Sequence, residues 1–247
     1  MVEFAAAIQF LLVSPRFVRR AFSAAELGRS TAFFPLVGAL LGGLLAGTDA
    51  LLAAIFSLEV RSALLLVLWI VLTGGLHFDG LLDACDGLLG GTSREQRLQI
   101  MRDERTGAYA VAGGALILLI MFSALNSIGA ERWAALLLAP VLGRCGVSLC
   151  LAAFPYARRE GLGWDIKNSM RNSYGAAAAL VTLALVGLVG WRLQNLAAVA
   201  ALLSAVASGW LAIRFVLSRI AGMTGDTYGA ICMLVEAAAL LGFAAGT

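Results

Sequence analysis

His77, Asp79, Asp83 and Asp86 stand in the stretch TGGLHFDGLLDACDG, where an apolar run long enough to cross a bilayer gives way abruptly to carboxylates. In a helix, Asp79, Asp83 and Asp86 fall at i, i+4 and i+7 and project from one face. Three like charges at that spacing repel one another, so the arrangement is costly unless a cation lies among them. His77 is the only histidine, which excludes a multi-histidine metal site and leaves oxygen ligands. Clustered carboxylates favour a hard divalent cation, and Mg2+ in particular is held by one or two carboxylates together with substrate phosphates. A solvated acidic helix end is the bland alternative. Against it, ionisable residues at the edge of a span are expensive and usually functional. His77 can contact a phosphate, act as acid or base, or cap the span, and the sequence leaves these readings level.

The same loop continues as GGTSREQRLQIMRDERTG, in which Thr92 or Ser93 followed by Glu95 or Gln96 predicts a capping box opening a helix that Gly107 stops. Leu98 and Met101, with Ile100 beside them, would rest on the membrane surface. Arg102 and Arg105 are forks suited to phosphate oxygens, and Asp103 between them offers the metal site a fourth carboxylate. Arginines touching anionic lipid headgroups are the alternative there. The 156–163 stretch, YARREGLG, joins charges including Arg158 to two glycines, as a loop closing over an anion does, though basic loops are also ordinary topology signals. GMTGDT at 222–227 opens the last apolar run. A helix N-terminus there, with Gly225 and Asp226, supplies backbone donors to a phosphate, and Asp226 or Thr227 serves equally well as an N-cap.

These residues need a scaffold, and composition says which. Hydrophobic residues make up 61% of 247 and charged residues 13%, with a mean hydropathy of +0.90, far too apolar for a soluble domain. Apolar runs near the roughly 18 to 20 residues that span hydrocarbon recur along the chain. They predict an all-α, polytopic transmembrane bundle of about seven spans, at 31–56, 62–78, 108–129, 133–154, 174–191, 196–217 and 228–245. Continuous Leu, Ala and Gly runs exclude the alternation of a barrel strand. Many of the 28 glycines are spaced for close helix crossings, as in Gly38-Ala39-Leu40-Leu41-Gly42. No Pro-rich or Ser-rich linker divides the chain, so residues 1–247 form a single integral membrane domain. The apolar N-terminal stretch 2–13 is short, carries Glu3 and fits a signal peptide poorly; it predicts an interfacial or re-entrant helix.

Basic residues set the orientation. Arg16, Arg19, Arg20 and Arg29, then Arg94, Arg97, Arg102 and Arg105, then Arg158, Arg159, Lys167 and Arg171, and finally Arg219 fall on one side. Only Arg61, Arg132 and Arg192 fall on the other, so the positive-inside rule turns the first set to the cytoplasm and the C-terminus outward. A net charge of +3 reflects that basic face and implies no nucleic acid. Cys85, Cys145, Cys150 and Cys232 form no CxxC pair and read as small packing residues. Arg144 and Glu236 lie deep inside predicted spans, facing the bundle, where they could pair.

Assembled in order, these blocks resemble the cobalamin synthase family, the adenosylcobinamide-GDP ribazoletransferases. The likeness rests on Phe34-Pro35-Leu36-Val37-Gly38, the LTGGLHFDGLLDACDG block, Ile100-Met101-Arg102-Asp103 with Arg105 and Gly107, the 156–163 loop, and TGDTYGA at 224–230. Leu12-Val13-Ser14-Pro15 departs from the family's usual Arg-hydrophobic-Pro. The resemblance implies transfer of adenosylcobinamide-GDP onto α-ribazole or its 5'-phosphate with release of GMP, a late step of vitamin B12 assembly in the bacterial cytoplasmic (inner) membrane, with Mg2+ as cofactor. Asp79, Asp83, Asp86 and Asp103 would hold the metal against the pyrophosphate, Arg102 and Arg105 would grip phosphate oxygens, and the Arg158 and Asp226 loops would close the pocket. One carboxylate or His77 would take the ribazole proton. Small-molecule substrates and the lipid bilayer are the partners, with a homo-oligomer left open. CDP-alcohol phosphotransferases carry a similar acidic pattern, but the Ala-Arg pair that follows their first Asp-Gly is missing here. A transporter would place its carboxylates nearer the bilayer midplane.

Overall fold

A computed structural model describes residues 1–245 as an all-α bundle. Six helices among the described residues are long and apolar enough to cross a membrane, and a sharply bent helix pair brings the number to seven if it counts as one span. After α1 (Val2–Leu11), a reciprocal Ser23/Glu26 capping box starts α2 (Ala24–Ser30). A short 3-10 turn passes this helix into α3 (Phe34–Leu52), which has Pro35 in its first turn. The first span therefore begins from a helix earlier than the expected residue 31, because the capping box supplies a start signal upstream. The other elements are α4 (Leu58–Leu72), α5 (Leu76–Cys85), α6 (Arg94–Ile100), α7 (Ala108–Ser127), α8 (Arg132–Ala153), α9 (Leu162–Ser169), α10 (Asn172–Leu193), α11 (Ala197–Ile220) and α12 (Gly225–Ala245).

Helices α8 and α12 form the centre, with most of their side chains buried. α3 packs along α8 through the glycine pair anticipated in the sequence. A Cβ at Gly38 would lie 2.5 Å from the Pro140 carbonyl oxygen, and one at Gly42 2.6 Å from that of Leu136. Pro140 has no N–H, so the Leu136 carbonyl loses its intrahelical donor and faces Gly42 instead. Two polar clusters tie the bundle. At the end away from the loops, Asp49 receives Arg132 Nε at 3.0 Å and Arg61 Nη1 at 3.2 Å, while Arg132 Nη2 reaches Ser62 Oγ at 3.1 Å. In the interior the fully buried Arg144 and Glu236 do pair.

The expected continuous span 62–78 is not continuous. α4 ends at Leu72, and the pair of helices bends by 92° before α5. Thr73 caps back onto the Trp69 carbonyl, and Gly74 (φ +59°) and Gly75 (φ +72°) both take left-handed backbone, where a Cβ is strained. Hydropathy could not register this bend, because two glycines leave an apolar window apolar. The carboxylates therefore lie on a second helix folded against α7 and α12.

A Cβ at Gly75 would meet no atom within 4 Å, so only its dihedral angle resists substitution. Gly75→Val should destabilise the purified protein by about 1–2 kcal/mol, whereas Gly75→Asn, which tolerates left-handed backbone, should cost clearly less. Thermal unfolding midpoints in one detergent would compare the two, and equal losses would show that the turn does not set the cost.

Candidate active site

The site is made by a close approach of two helix starts. A Cβ at Gly80 would lie 3.0 Å from the Asp226 carbonyl oxygen and 3.2 Å from Gly229 Cα, and one at Gly229 would lie 3.0 Å from the His77 carbonyl oxygen. Neither helix could carry a larger residue there without moving the other. The crossing brings Asp79 and Asp83 of α5 to the first turn of α12, where Asp226 stands. Asp83 lies within electrostatic reach of Asp79, Asp226, Asp86 and Arg158. Asp79 is exposed, Asp83 and Asp226 are half-buried, and among the described residues the Asp79 and Asp83 side chains have no hydrogen-bond or ion-pair partner. Such crowding of acids with so little local compensation suits a cation.

The 156–161 loop is stitched to this point. Ala157 donates its N–H to the Met223 carbonyl at 2.7 Å, and Met223 returns a bond to Pro155 at 2.8 Å. Gly225 N–H donates to Tyr156 Oη at 3.2 Å, and Arg158 Nη2 donates to Asp226 Oδ2 at 3.2 Å. Burial raises the Tyr156 phenol, so it remains a neutral hydroxyl. α12 is capped by Thr224, whose hydroxyl accepts from Thr227 N–H at 3.2 Å while Thr227 Oγ1 accepts from Thr224 N–H at 2.8 Å. The expected Thr227 thus takes part in the cap, which centres on Thr224 because that exchange satisfies two donors at once, and Asp226 accepts instead from Thr224 Oγ1 at 3.2 Å and from Arg158. Helix α9 is secured by Lys167, whose Nζ donates to the last-turn carbonyls of α8 at Leu151 (2.7 Å) and Ala152 (3.2 Å). Burial lowers the pKa of this ammonium.

Two residues proposed for the metal lie differently. Asp86 opens a π turn over Asp86–Gly90 and accepts Gly107 N–H at 2.6 Å and Ala110 N–H at 2.8 Å, so it caps the start of α7 from another helix. Asp103 is at the surface, held down to about 2 by hydrogen bonds from Arg105, which grips it at 2.7 Å. The surface helix stops at Ile100, short of the expected Gly107. Ser93 caps it and Gln96 reaches back to Thr92. Arg102 is exposed and pairs with Glu160 at 2.9 Å, and Arg105 is taken by Asp103. Met101, expected on the membrane surface, is buried over Gly87, because the glycine leaves the space it fills. Arg94 Nε and Arg97 Nη1 cap the last carbonyls of α11, at Ile220 (3.0 Å) and Arg219 (3.1 Å).

Two cavities reach this cluster. One, of about 450 Å³, lies between α6 and the 157–160 segment and is lined by Glu95, Gln99, Arg102, Arg158, Arg159 and Glu160. The other, of about 240 Å³, runs inward from Asp79 and Asp226 beneath α1 and α9, and its walls include Phe10, Phe34, Val147 and Ile166. Sequence reading missed these apolar walls, since nothing distinguishes a cavity-lining Phe or Val from a packed one. His77 also lines the inner cavity and is buried. Arg144 Nη2 lies 3.4 Å from His77 Nδ1; a guanidinium can only donate, so Nδ1 accepts and the ring proton belongs on Nε2. The histidine therefore carries a donor at Nε2 and no free basic nitrogen. Among the described residues no group of three His, Cys, Asp or Glu side chains is gathered tightly enough to hold a metal alone. That fits an ion that takes one or two carboxylates and completes its shell with phosphate.

The family described as cobalamin-5-phosphate synthase matches residues 3–244. A protein of Pseudomonas syringae pv. syringae named adenosylcobinamide-GDP ribazoletransferase is 42% identical over 247 residues, covering 98% of each chain. Proteins of the same name from Desulforamulus reducens (38% identical, 93% of this chain and 91% of that one) and Geotalea daltonii (36%, 95% and 94%) are similarly related. No solved structure matches the chain.

Gly80→Ala and Gly229→Ala should each destabilise the protein by about 1–3 kcal/mol, since the added methyl meets backbone. Both report on one contact, so the double variant should lose less than the sum. Denaturant titration in detergent micelles measures this, and strict additivity would show that the two glycines do not share a crossing.

Proposed function

The chain belongs to the cobalamin-5-phosphate synthase family, and from that premise we propose that it joins α-ribazole, or its 5'-phosphate, to adenosylcobinamide-GDP with release of GMP. The observation that carries this reading is the meeting of Asp79, Asp83 and Asp226 with Arg158 at the junction of a charged cavity and an apolar one. A ribazole hydroxyl attacks the phosphorus on the corrinoid side of the pyrophosphate. A new P–O bond forms as the bond to the GMP oxygen breaks, and the hydroxyl proton must leave.

We assign Mg2+ to this cluster, where one or two of Asp79, Asp83 and Asp226 would hold it together with substrate phosphate, and when bound it would supply charge neutralisation on the pyrophosphate. Arg158, half-buried and already aimed at Asp226, binds a phosphate oxygen, and its guanidinium fork fixes the direction of approach. Arg102, held only by an exposed pair with Glu160, is free to exchange that partner for phosphate. The proton goes to a carboxylate of the cluster, because His77 has no free basic nitrogen. Asp86 shapes the site by holding α7 against α5. The exposed Asp103 and Arg105 pair lies outside this assignment. The basic loops gather at the end of the bundle that carries these residues, so the positive-inside rule turns it to the cytoplasm.

Asp83→Asn and Asp79→Asn should each lower GMP release by at least about 100-fold in proteoliposomes while leaving the protein inserted and monodisperse. Chelation should abolish turnover and added Mg2+ should restore it. Near-normal rates in both variants would remove the metal assignment, and CMP release from a CDP-linked lipid, with none of GMP from the corrinoid nucleotide, would remove the transferase reading.

A further inference from the structure

We infer that the inner cavity is the subsite for the aromatic base of α-ribazole, and that His77 donates from Nε2 to that base. This rests on the transferase reading above. α-Ribazole joins a flat, uncharged dimethylbenzimidazole to a ribose, and only the base can be buried without stripping water from many hydroxyls. The cavity has the matching polarity. Phe10 and Phe34 form one wall, their rings stacked at 5.9 Å between centroids and 19° between planes. Val147, Leu151 and Ile166 supply aliphatic surface, and all three are buried. A volume of about 240 Å³ suits a bicyclic ring and is too small for a corrin macrocycle. Asp79 and Asp226 border the same cavity, so a base seated inside leaves its ribose beside the carboxylates and Arg158.

The other cavity is distinguished by its charges. Its walls set three arginines and two glutamates around Leu98 and Ala157, a concentration of charge that fits the nucleotide diphosphate better than an uncharged benzimidazole. His77 adds an independent observation. It is only 5% exposed, and Nδ1 is taken by Arg144. Nε2–H has no hydrogen-bond partner among the described residues, so it remains free to donate. Benzimidazole linked to ribose through one ring nitrogen presents the other as an acceptor, and no other part of the base accepts a hydrogen bond. The Arg144 and Glu236 pair, far from solvent, thereby acts as a positioning device that fixes the histidine tautomer.

The test is steady-state GMP release in proteoliposomes with each substrate varied in turn. Val147→Phe fills the cavity and should raise KM for α-ribazole by roughly ten- to a hundredfold while leaving KM for adenosylcobinamide-GDP unchanged. Leu151→Ala enlarges it, and should shrink the preference for dimethylbenzimidazole over a larger naphthimidazole riboside by about tenfold; this variant carries the test if Val147→Phe does not fold. Turnover with unmoved α-ribazole KM and unmoved base preference, or a shift confined to the corrinoid substrate, overturns the subsite and leaves the transferase reading standing. Inhibition by a lysophospholipid, competitive with α-ribazole and abolished by Val147→Phe while the α-ribazole KM stays fixed, assigns the cavity to an acyl chain and overturns it likewise. Absence of GMP release from the unaltered protein overturns the transferase reading first, and the subsite with it.

Discussion

Carboxylates from two helices can share one small volume only if their backbones come closer than ordinary side chains permit. Gly80 and Gly229 meet that condition, and everything else at the site follows from it. With the two backbones in contact, Asp79 and Asp83 cannot avoid Asp226, and the like charges are held together by packing. The electrostatic cost is borne by the apolar burial of α12, which lies at the centre of the bundle. An arrangement that is unfavourable alone and rigidly enforced is one that favours a cation or a cation-bearing phosphate.

The rigidity comes from α8. Arg132 at its start is fixed to Asp49 of α3, Arg144 at its middle to Glu236 of α12, and its final carbonyls to Lys167 of α9. In a bilayer the hydrophobic effect gives helices no reason to choose one rotation over another, so close packing and buried ion pairs must supply the choice. Each pair selects one face of α8 for one neighbour. Pro140 adds to this by releasing the Leu136 carbonyl, which only the glycine side of α3 can approach closely.

Much of this was legible in the sequence. Composition alone specified a polytopic helical bundle, and a family resemblance spread over separate blocks agreed with the matched region of 3–244. The Gly38 and Gly42 pair and the Arg144 with Glu236 pair were readable because small residues and intramembrane charges have few other uses. The 92° break was not readable, because the glycines that make it are neutral on a hydropathy scale. Spacing put Asp79, Asp83 and Asp86 on one face, but could not say that Asp86 would spend both oxygens on the start of α7. Asp103 looked equivalent to them in sequence; its neighbour Arg105 takes it instead, since a local partner two residues away is easier to reach than a distant cluster. The cavity walls were invisible altogether, for a cavity is a property of what several helices leave unfilled.

The placement of Arg158 connects these points. It lines the charged cavity and bonds to Asp226, which borders the apolar one, so a single side chain forms part of the partition between them. The partition is supported from both sides: Tyr156 holds the start of α12 through Gly225, and Met223 bonds back to the 155–157 strand of chain. Under the proposed assignment, two reactants, one bearing a pyrophosphate and one a flat apolar base, would have separate approaches that meet at Arg158 and Asp226. The charged side is built from α6 and the 157–160 segment, and the apolar side is covered by α1 and α9, short helices set against the bundle. A soluble enzyme would have to bury that apolar approach in its own core. A membrane protein can instead floor it with the spans α3, α8 and α12, whose interior is already apolar, and keep only the partition polar.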